Sequence, residues 1–111
     1  MNKNRKKHVK SEQSMVGKII DLPLKDFKRE VEEQHLNVGM THNVRISLVG
    51  IYNDLCVRKD KVIELVTTKQ RKNDDPEVVK VLNGLYAEML KVEEKVAFLT
   101  EREERLLKAE N

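Results

Sequence analysis

The side chains best suited to chemistry in this 111-residue chain are three histidines, one cysteine and several adjacent pairs of glutamates. His35 and His42 lie on either side of Gly39, whereas His8 is far from both in the sequence. A zinc site needs three or four ligands held in fixed geometry, and Cys56 follows His42 by about four helical turns. We therefore expect both later histidines to be surface or capping residues, and we predict no metal or other cofactor.

Neither nucleophilic nor acid–base catalysis is indicated by the remaining candidates. Cys56 has apolar neighbours on both sides, as expected of a small buried hydrophobic residue. The glutamate pairs at 32–33, 93–94 and 103–104 fit solvated helix faces, whereas acid–base catalysis needs carboxylates that converge in a cleft. The sequence contains no glycine-rich phosphate loop and no G-x-S-x-G, H-E-x-x-H or C-x-x-C motif. We predict that the protein is not an enzyme and has no small-molecule substrate.

Positive charge is concentrated at the N-terminus. The chain has 22 lysines and arginines against 19 acids, a net charge of +3. Residues 1–10 contain five cations and no acid, so the rest of the chain is mildly acidic. Such a cluster binds phosphates of nucleic acid non-specifically, and it equally suits an acidic protein surface or a solubilising tail. The cations of this basic arm are Lys3, Arg5, Lys6, Lys7 and Lys10.

Composition narrows the class of protein further. The apolar runs are too short for a membrane span, and no apolar stretch typical of a secretory signal follows the basic N-terminus. A single cysteine favours a reducing compartment. We expect a cytoplasmic protein or, if the source is a virus, one inside the virion. The high content of Ala, Glu, Lys, Leu and Arg is typical of long helices.

The spacing of apolar residues predicts a mostly α fold dominated by a long antiparallel helical hairpin that resembles a coiled coil. Residues 1–15 are expected to form a disordered arm, and residues 16–40 an extended anchor followed by a short helix. Two long helices then occupy residues 41–111, with a polar turn near 69–75.

Capping residues predict where these helices begin and end. Thr41 is a candidate N-cap for the first long helix, and Gly39 is a candidate terminator for the short helix over residues 25–36. Asp75 followed by Pro76 fits an N-cap and the first residue of the second long helix.

A heptad pattern predicts where the two long helices meet. Apolar residues recur at alternating spacings of four and three, and placing Leu65 opposite Leu82 pairs nearly every member. Arg58 is the charged exception: it either fixes the register or lays its aliphatic stem over Met89 with its guanidinium in solvent. The seam residues are Val44, Leu48, Ile51, Leu55, Arg58, Val62, Leu65, Leu82, Leu85, Met89, Val92, Val96 and Leu99.

Further apolar side chains flank this seam and exceed what two helices can bury against each other. An uncovered stripe of this length is larger than soluble monomers usually expose. We therefore predict a partner, either a second copy within a helical bundle or a larger protein, and the alternative is that residues 16–36 fold back over the stripe. The predicted partner-facing residues are Val49, Tyr52, Ile63, Val66, Val79, Tyr86, Leu90 and Phe98.

The order of elements after the arm resembles a ribbon-helix-helix unit. Residues 18–24 (K-I-I-D-L-P-L) correspond to the strand, and a short helix, the Gly39-Met40-Thr41 turn and a second helix follow. This resemblance covers about residues 18–57 and implies a DNA-binding regulator that dimerises through the strand. That function is the runner-up. The leading prediction is a non-enzymatic assembly or docking module, such as a small phage or viral structural or accessory protein.

Overall fold

The computed structural model describes residues 16–110, which are mostly helical and contain no strand. Helix α1 spans Leu24–Glu33, α2 spans Val38–Thr67 and α3 spans Pro76–Glu110. Helices α2 and α3 pack against each other as a hairpin, and α1 packs against α3 at the open end, opposite the turn. The predicted helical hairpin is therefore confirmed, whereas the predicted arm of residues 1–15 lies outside the described residues.

The segment before α1 is helical, so the prediction of an extended anchor is wrong. Residues 16–20 form a helical turn in which Ile19 is buried in the core. The Leu22 amide then donates to the Ile19 carbonyl at 3.2 Å. Isoleucines favour a strand only where a neighbouring strand pairs with them, and the described residues supply none. The strand of the ribbon-helix-helix resemblance is thus absent from residues 16–110.

Helix α2 begins earlier than predicted because Asn37 is its N-cap. The Asn37 side chain accepts a hydrogen bond from the Met40 amide at 2.8 Å, which satisfies one of the amides left unpaired at a helix start. Thr41 and Gly39 therefore lie inside α2. His35, not the predicted Gly39, is the left-handed residue after α1, with φ of 51°.

The turn between α2 and α3 agrees with the sequence prediction. Asp75 accepts hydrogen bonds from the Glu77 amide at 2.9 Å and from the Arg71 guanidinium at 2.9 Å. The hydrogen bond from the Glu77 amide makes the larger contribution and that from the Arg71 guanidinium the smaller one, and together they hold the pKa of Asp75 below its ordinary value. Pro76 follows as the first helical residue, where it has no amide partner to lose. Lys69, two residues after the end of α2, is in the left-handed region, with φ of 62°.

The best-packed core lies at the open end, where α1 closes against the hairpin. Phe27 of α1 meets Phe98 of α3 edge to face, with ring centroids 6.2 Å apart. Toward the turn the molecule is only two helices thick, so Leu65 is 38% and Val81 is 43% exposed. Burial is therefore greatest at the open end, although Val78 at the start of α3 is also buried. The fully buried side chains are Phe27, Val31, Leu36, Thr41, Val44, Leu48 and Leu99.

Candidate interaction surface

The predicted seam residues differ in burial, and the two exposed ones lie in the half of α2 nearer the turn. Arg58 and Leu65, both near the turn, are exposed. An exposed Arg58 is consistent with the interpretation that its guanidinium reaches solvent while its stem lies along the hairpin. The half-buried seam residues are Ile51, Val62, Leu82, Leu85 and Val96, and the buried ones are Val44, Leu48, Leu55, Met89, Val92 and Leu99.

Two polar contacts fix α2 against α3. Near the open end, Arg45 Nε donates to Glu103 at 2.9 Å and His42 Nδ1 lies 3.1 Å from the same carboxylate. The hydrogen bond from Arg45, and to a smaller extent the contact with His42, lowers the pKa of Glu103. Nearer the turn, the Tyr52 hydroxyl donates to Glu93 at 2.8 Å, and this hydrogen bond with partial burial raises the pKa of Tyr52 to about 12. Both contacts lie within two residues of the register that the seam predicts.

One face of the hairpin is covered by residues 16–36, and Lys95 holds the first part of this cover. The Lys95 ammonium donates to the Ile20 carbonyl and lies 5.4 Å from the centroid of the Phe27 ring. Lys95 is only 7% exposed, and burial lowers the pKa of its ammonium. Lys95 therefore anchors the helical turn before α1 to the hairpin.

Phe98 and Arg102 continue the same stripe along α3. Phe98 packs against Phe27, and the Arg102 guanidinium donates to the Leu36 carbonyl at 3.0 Å. Phe98, predicted to face a partner, instead faces α1 of its own chain, because positions 95, 98 and 102 share one side of a helix. The sequence pattern did not single out Lys95 or Arg102, since long cations on helices usually lie in solvent.

A groove of about 460 Å³ separates residues 20–24 from the hairpin. Its apolar walls come from both the covering segment and the two long helices. Its charged lining consists of two acids and two lysines, so it has no preference for a ligand of either sign. These charged residues are Asp21, Glu88, Lys91 and Lys95.

The opposite face of the hairpin carries no covering element among residues 16–110. Tyr52 and Glu93 meet on this side, and Glu93 points about 200° around α3 from Lys95. Residues three and four positions along each helix from this pair share the same side. We call this surface the uncovered face, which consists of Val49, Tyr52, Cys56, Lys59, Ile63 and Val66 of α2 and Val79, Asn83, Tyr86, Leu90, Glu93 and Ala97 of α3.

Large apolar side chains of the uncovered face are exposed to solvent. Leu90 is 55% and Tyr86 is 49% exposed, and Ile63 and Val79 are also exposed. Cys56, expected to be buried, is a half-buried free thiol. Every predicted partner-facing residue except Phe98 lies on this face. Of these predicted partner-facing residues, Val49, Tyr52 and Val66 are half-buried.

Residues 16–110 contain neither a cluster of metal ligands nor a helix that could cross a membrane. Within residues 16–110, no three His, Cys, Asp or Glu side chains converge in the way that a metal ion requires. His42 instead contacts Glu103, and His35 occupies the turn after α1. None of the helices in this part of the chain combines the length and apolar content needed to cross a membrane.

No protein-family model, no curated protein and no solved structure matches this chain. A function must therefore be inferred from the geometry of the uncovered face and from the charge of the basic arm.

Proposed function

We propose that this protein is a non-enzymatic assembly module that pairs with a second copy of itself through the uncovered face. The observation that supports this proposal is the row of exposed apolar side chains, led by Tyr86 and Leu90, along one side of both long helices. Removing apolar surface from water is favourable by roughly 25 cal/mol per Å². A second hairpin supplies a matching apolar surface, and the pair forms a four-helix bundle.

The uncovered face is large enough for a specific dimer. From Val49 to Val66 it extends about 25 Å along α2 at about 1.5 Å per residue. Two helices packed about 8–10 Å apart give it a width of about 20 Å. The face then measures about 500 Å² per copy, or about 1,000 Å² in a pair, which is near the lower limit for specific interfaces. A reversible dimer of moderate affinity is therefore expected.

The basic arm gives this assembly a second contact. Five cations within residues 1–10 attract nucleic acid or an acidic protein surface through interactions that weaken with salt. Pairing places two arms on each assembly and raises the avidity for a polyanion. This combination suits a small structural or accessory protein, such as one of a phage or virus, acting in the cytoplasm or in a virion.

Leu90→Lys tests the proposed pairing. A lysine at this position places a charge on the uncovered face, and burying that charge in the dimer is unfavourable. We expect the dissociation constant of the dimer to rise at least about tenfold, as measured by sedimentation equilibrium. The matched control is Val57→Lys, because Val57 is 53% exposed and lies outside the uncovered face, about 100° round α2 from Cys56.

The two variants separate the uncovered face from general surface charge. Equal weakening by Leu90→Lys and Val57→Lys would contradict the proposal. A monomeric wild-type chain would also contradict it and would leave a larger protein as the partner of this face.

Deleting residues 1–10 should remove salt-sensitive nucleic-acid binding without changing the mass of the assembly. Unchanged nucleic-acid binding would exclude the role given to the arm.

A further inference from the structure

Lys59 is the cation and Glu93 the anion of the uncovered face, and the Lys59 ammonium also lies 3.4 Å from the exposed Asp60 carboxylate of its own chain at the rim of this face. The positions of Lys59 and Glu93 distinguish two ways of pairing the face. The Tyr52–Glu93 hydrogen bond puts these residues level with each other along the hairpin. Cys56 is then about level with Leu90, because the two helices run in opposite directions. Lys59 lies about 4.5 Å from this level toward the turn, and Glu93 lies about as far toward the open end.

A face-to-face dimer has two choices for a two-fold axis within the interface. With the axis along the hairpin, both turns lie at one end, and every residue is level with its own copy. Lys59 is then level with the partner's Lys59 on the other side of the axis, and Glu93 is level with the partner's Glu93. Like charges held this close in a partly desolvated interface repel each other.

With the axis across the hairpin, the two turns lie at opposite ends. A residue at a given distance from the axis toward the turn is then level with the partner residue that lies the same distance from the axis toward the open end. Lys59 comes level with the partner's Glu93, and the two-fold symmetry forms this opposite-charge pair twice. Apolar residues of the uncovered face extend along both helices on either side of the Cys56 level, so apolar surface still meets apolar surface.

Building on the proposed self-association, we propose that two copies pair antiparallel, with the two-fold axis crossing the hairpin near Cys56 and Leu90. The resulting four-helix bundle has its turns at opposite ends. Each end of this bundle consists of the turn of one copy and the open end of the other, so the two ends have the same composition.

Spin labels at the turn measure this orientation directly. Asn73→Cys in a Cys56→Ser background leaves one label site per chain, because Cys56 is the only natural cysteine. Residue 73 lies about 25 Å from the proposed axis. Antiparallel pairing therefore predicts a label–label distance of about 50 Å by double electron–electron resonance, whereas parallel pairing predicts about 20 Å.

These distances separate the inference from the proposed function. A distance near 50 Å supports the antiparallel dimer, and one near 20 Å overturns it while leaving self-association intact. If the labelled chain is monomeric and the wild-type chain is dimeric, Cys56 is needed for pairing. The charge reversals at Lys59 and Glu93 then decide the orientation. A monomeric wild-type chain overturns both proposals.

Charge reversal gives the second, independent test. Lys59→Glu places a carboxylate level with the partner's Glu93, so we expect the dissociation constant to rise about fivefold. Adding Glu93→Lys should restore it to within about twofold of the wild-type value. Because Glu93→Lys also removes the hydrogen bond from Tyr52, Tyr52→Phe serves as its control.

Parallel pairing predicts a different pattern for the same variants. Lys59→Glu would replace one like-charge pair by another, so the dissociation constant would not change. Glu93→Lys would then rescue nothing. Either of these results would overturn the antiparallel arrangement.

Discussion

One face of the hairpin packs against residues 16–36 of its own chain, whereas the opposite face has no covering element within residues 16–110. On the covered face, Lys95, Phe98 and Arg102 contact residues 16–36. On the uncovered face, Tyr86 and Leu90 remain about half exposed. Apolar side chains outside the seam can therefore be buried in two ways, within one chain or between two copies. The covered face stabilises a single chain at any concentration, whereas the pairing that we propose for the uncovered face should increase with concentration.

Truncating Phe27 is expected to have the largest effect, because it breaks the covered face. Phe27 is fully buried, so Phe27→Ala leaves a cavity and should lower the free energy of unfolding by about 3–5 kcal/mol. Chemical denaturation measures this change. Val57→Ala, which truncates an exposed side chain, should change the same quantity by less than about 0.5 kcal/mol. Similar losses for the two variants would show that the cover adds little to stability.

Tyr86→Ala should weaken the pair and leave the monomer intact. Aromatic side chains in the centre of an interface contribute strongly to affinity, so we expect the dissociation constant to rise about tenfold. The melting temperature of the wild-type chain should increase with protein concentration, and this dependence should be shifted in the variant. Val81→Ala, on α3 outside the uncovered face, is the control. Identical concentration dependence in all three proteins would place Tyr86 outside the interface.

Arg58→Leu should stabilise the seam between the two faces. The exposed arginine occupies a seam position of α2, and a leucine there buries apolar surface without a charge to keep in water. We expect a gain of about 0.5–1 kcal/mol in the free energy of unfolding, with no change in the mass measured by light scattering. A changed mass would instead give Arg58 a role in selecting the assembly.

Glu103 should produce the smallest effect, confined to acid solution. Its pKa is lowered from 4.5 in the folded chain, first by the hydrogen bond from Arg45 and then by that from His42. The stability linked to this carboxylate is therefore fully present above pH 4.5 and is lost as the pH falls through the lowered value. Glu103→Gln should make the melting temperature decline less steeply below pH 4.5 than in the wild-type chain. Parallel curves would contradict the link.

The hairpin could be predicted from the sequence because its determinants are local. The spacing of apolar residues along α2 and α3 is visible in a single chain, and Asp75 with Pro76 marks a helix start by cap chemistry alone. The start of α2 was missed because Asn37 and Thr41 are both acceptable caps. Only the geometry of the connection from α1 determines that Asn37 receives the Met40 amide.

The division of the flanking residues between the two faces could not be predicted. Phe98 and Leu90 are both apolar, and both lie outside the seam. Which one is covered depends on where the short helix with Phe27 and Val31 docks, and that contact joins residues distant in the sequence. The helical turn at residues 16–20 escaped prediction for the same reason, since its packing against Lys95 outweighs the strand preference of its isoleucines.

The mass of the wild-type chain as a function of concentration tests most directly whether the uncovered face pairs two copies. Size-exclusion chromatography with light scattering can cover the range from below one micromolar to hundreds of micromolar. We predict that the mass rises from the 13.0 kDa of one chain to twice that value. A mass of 13.0 kDa at every concentration would contradict the self-association on which the proposed function rests.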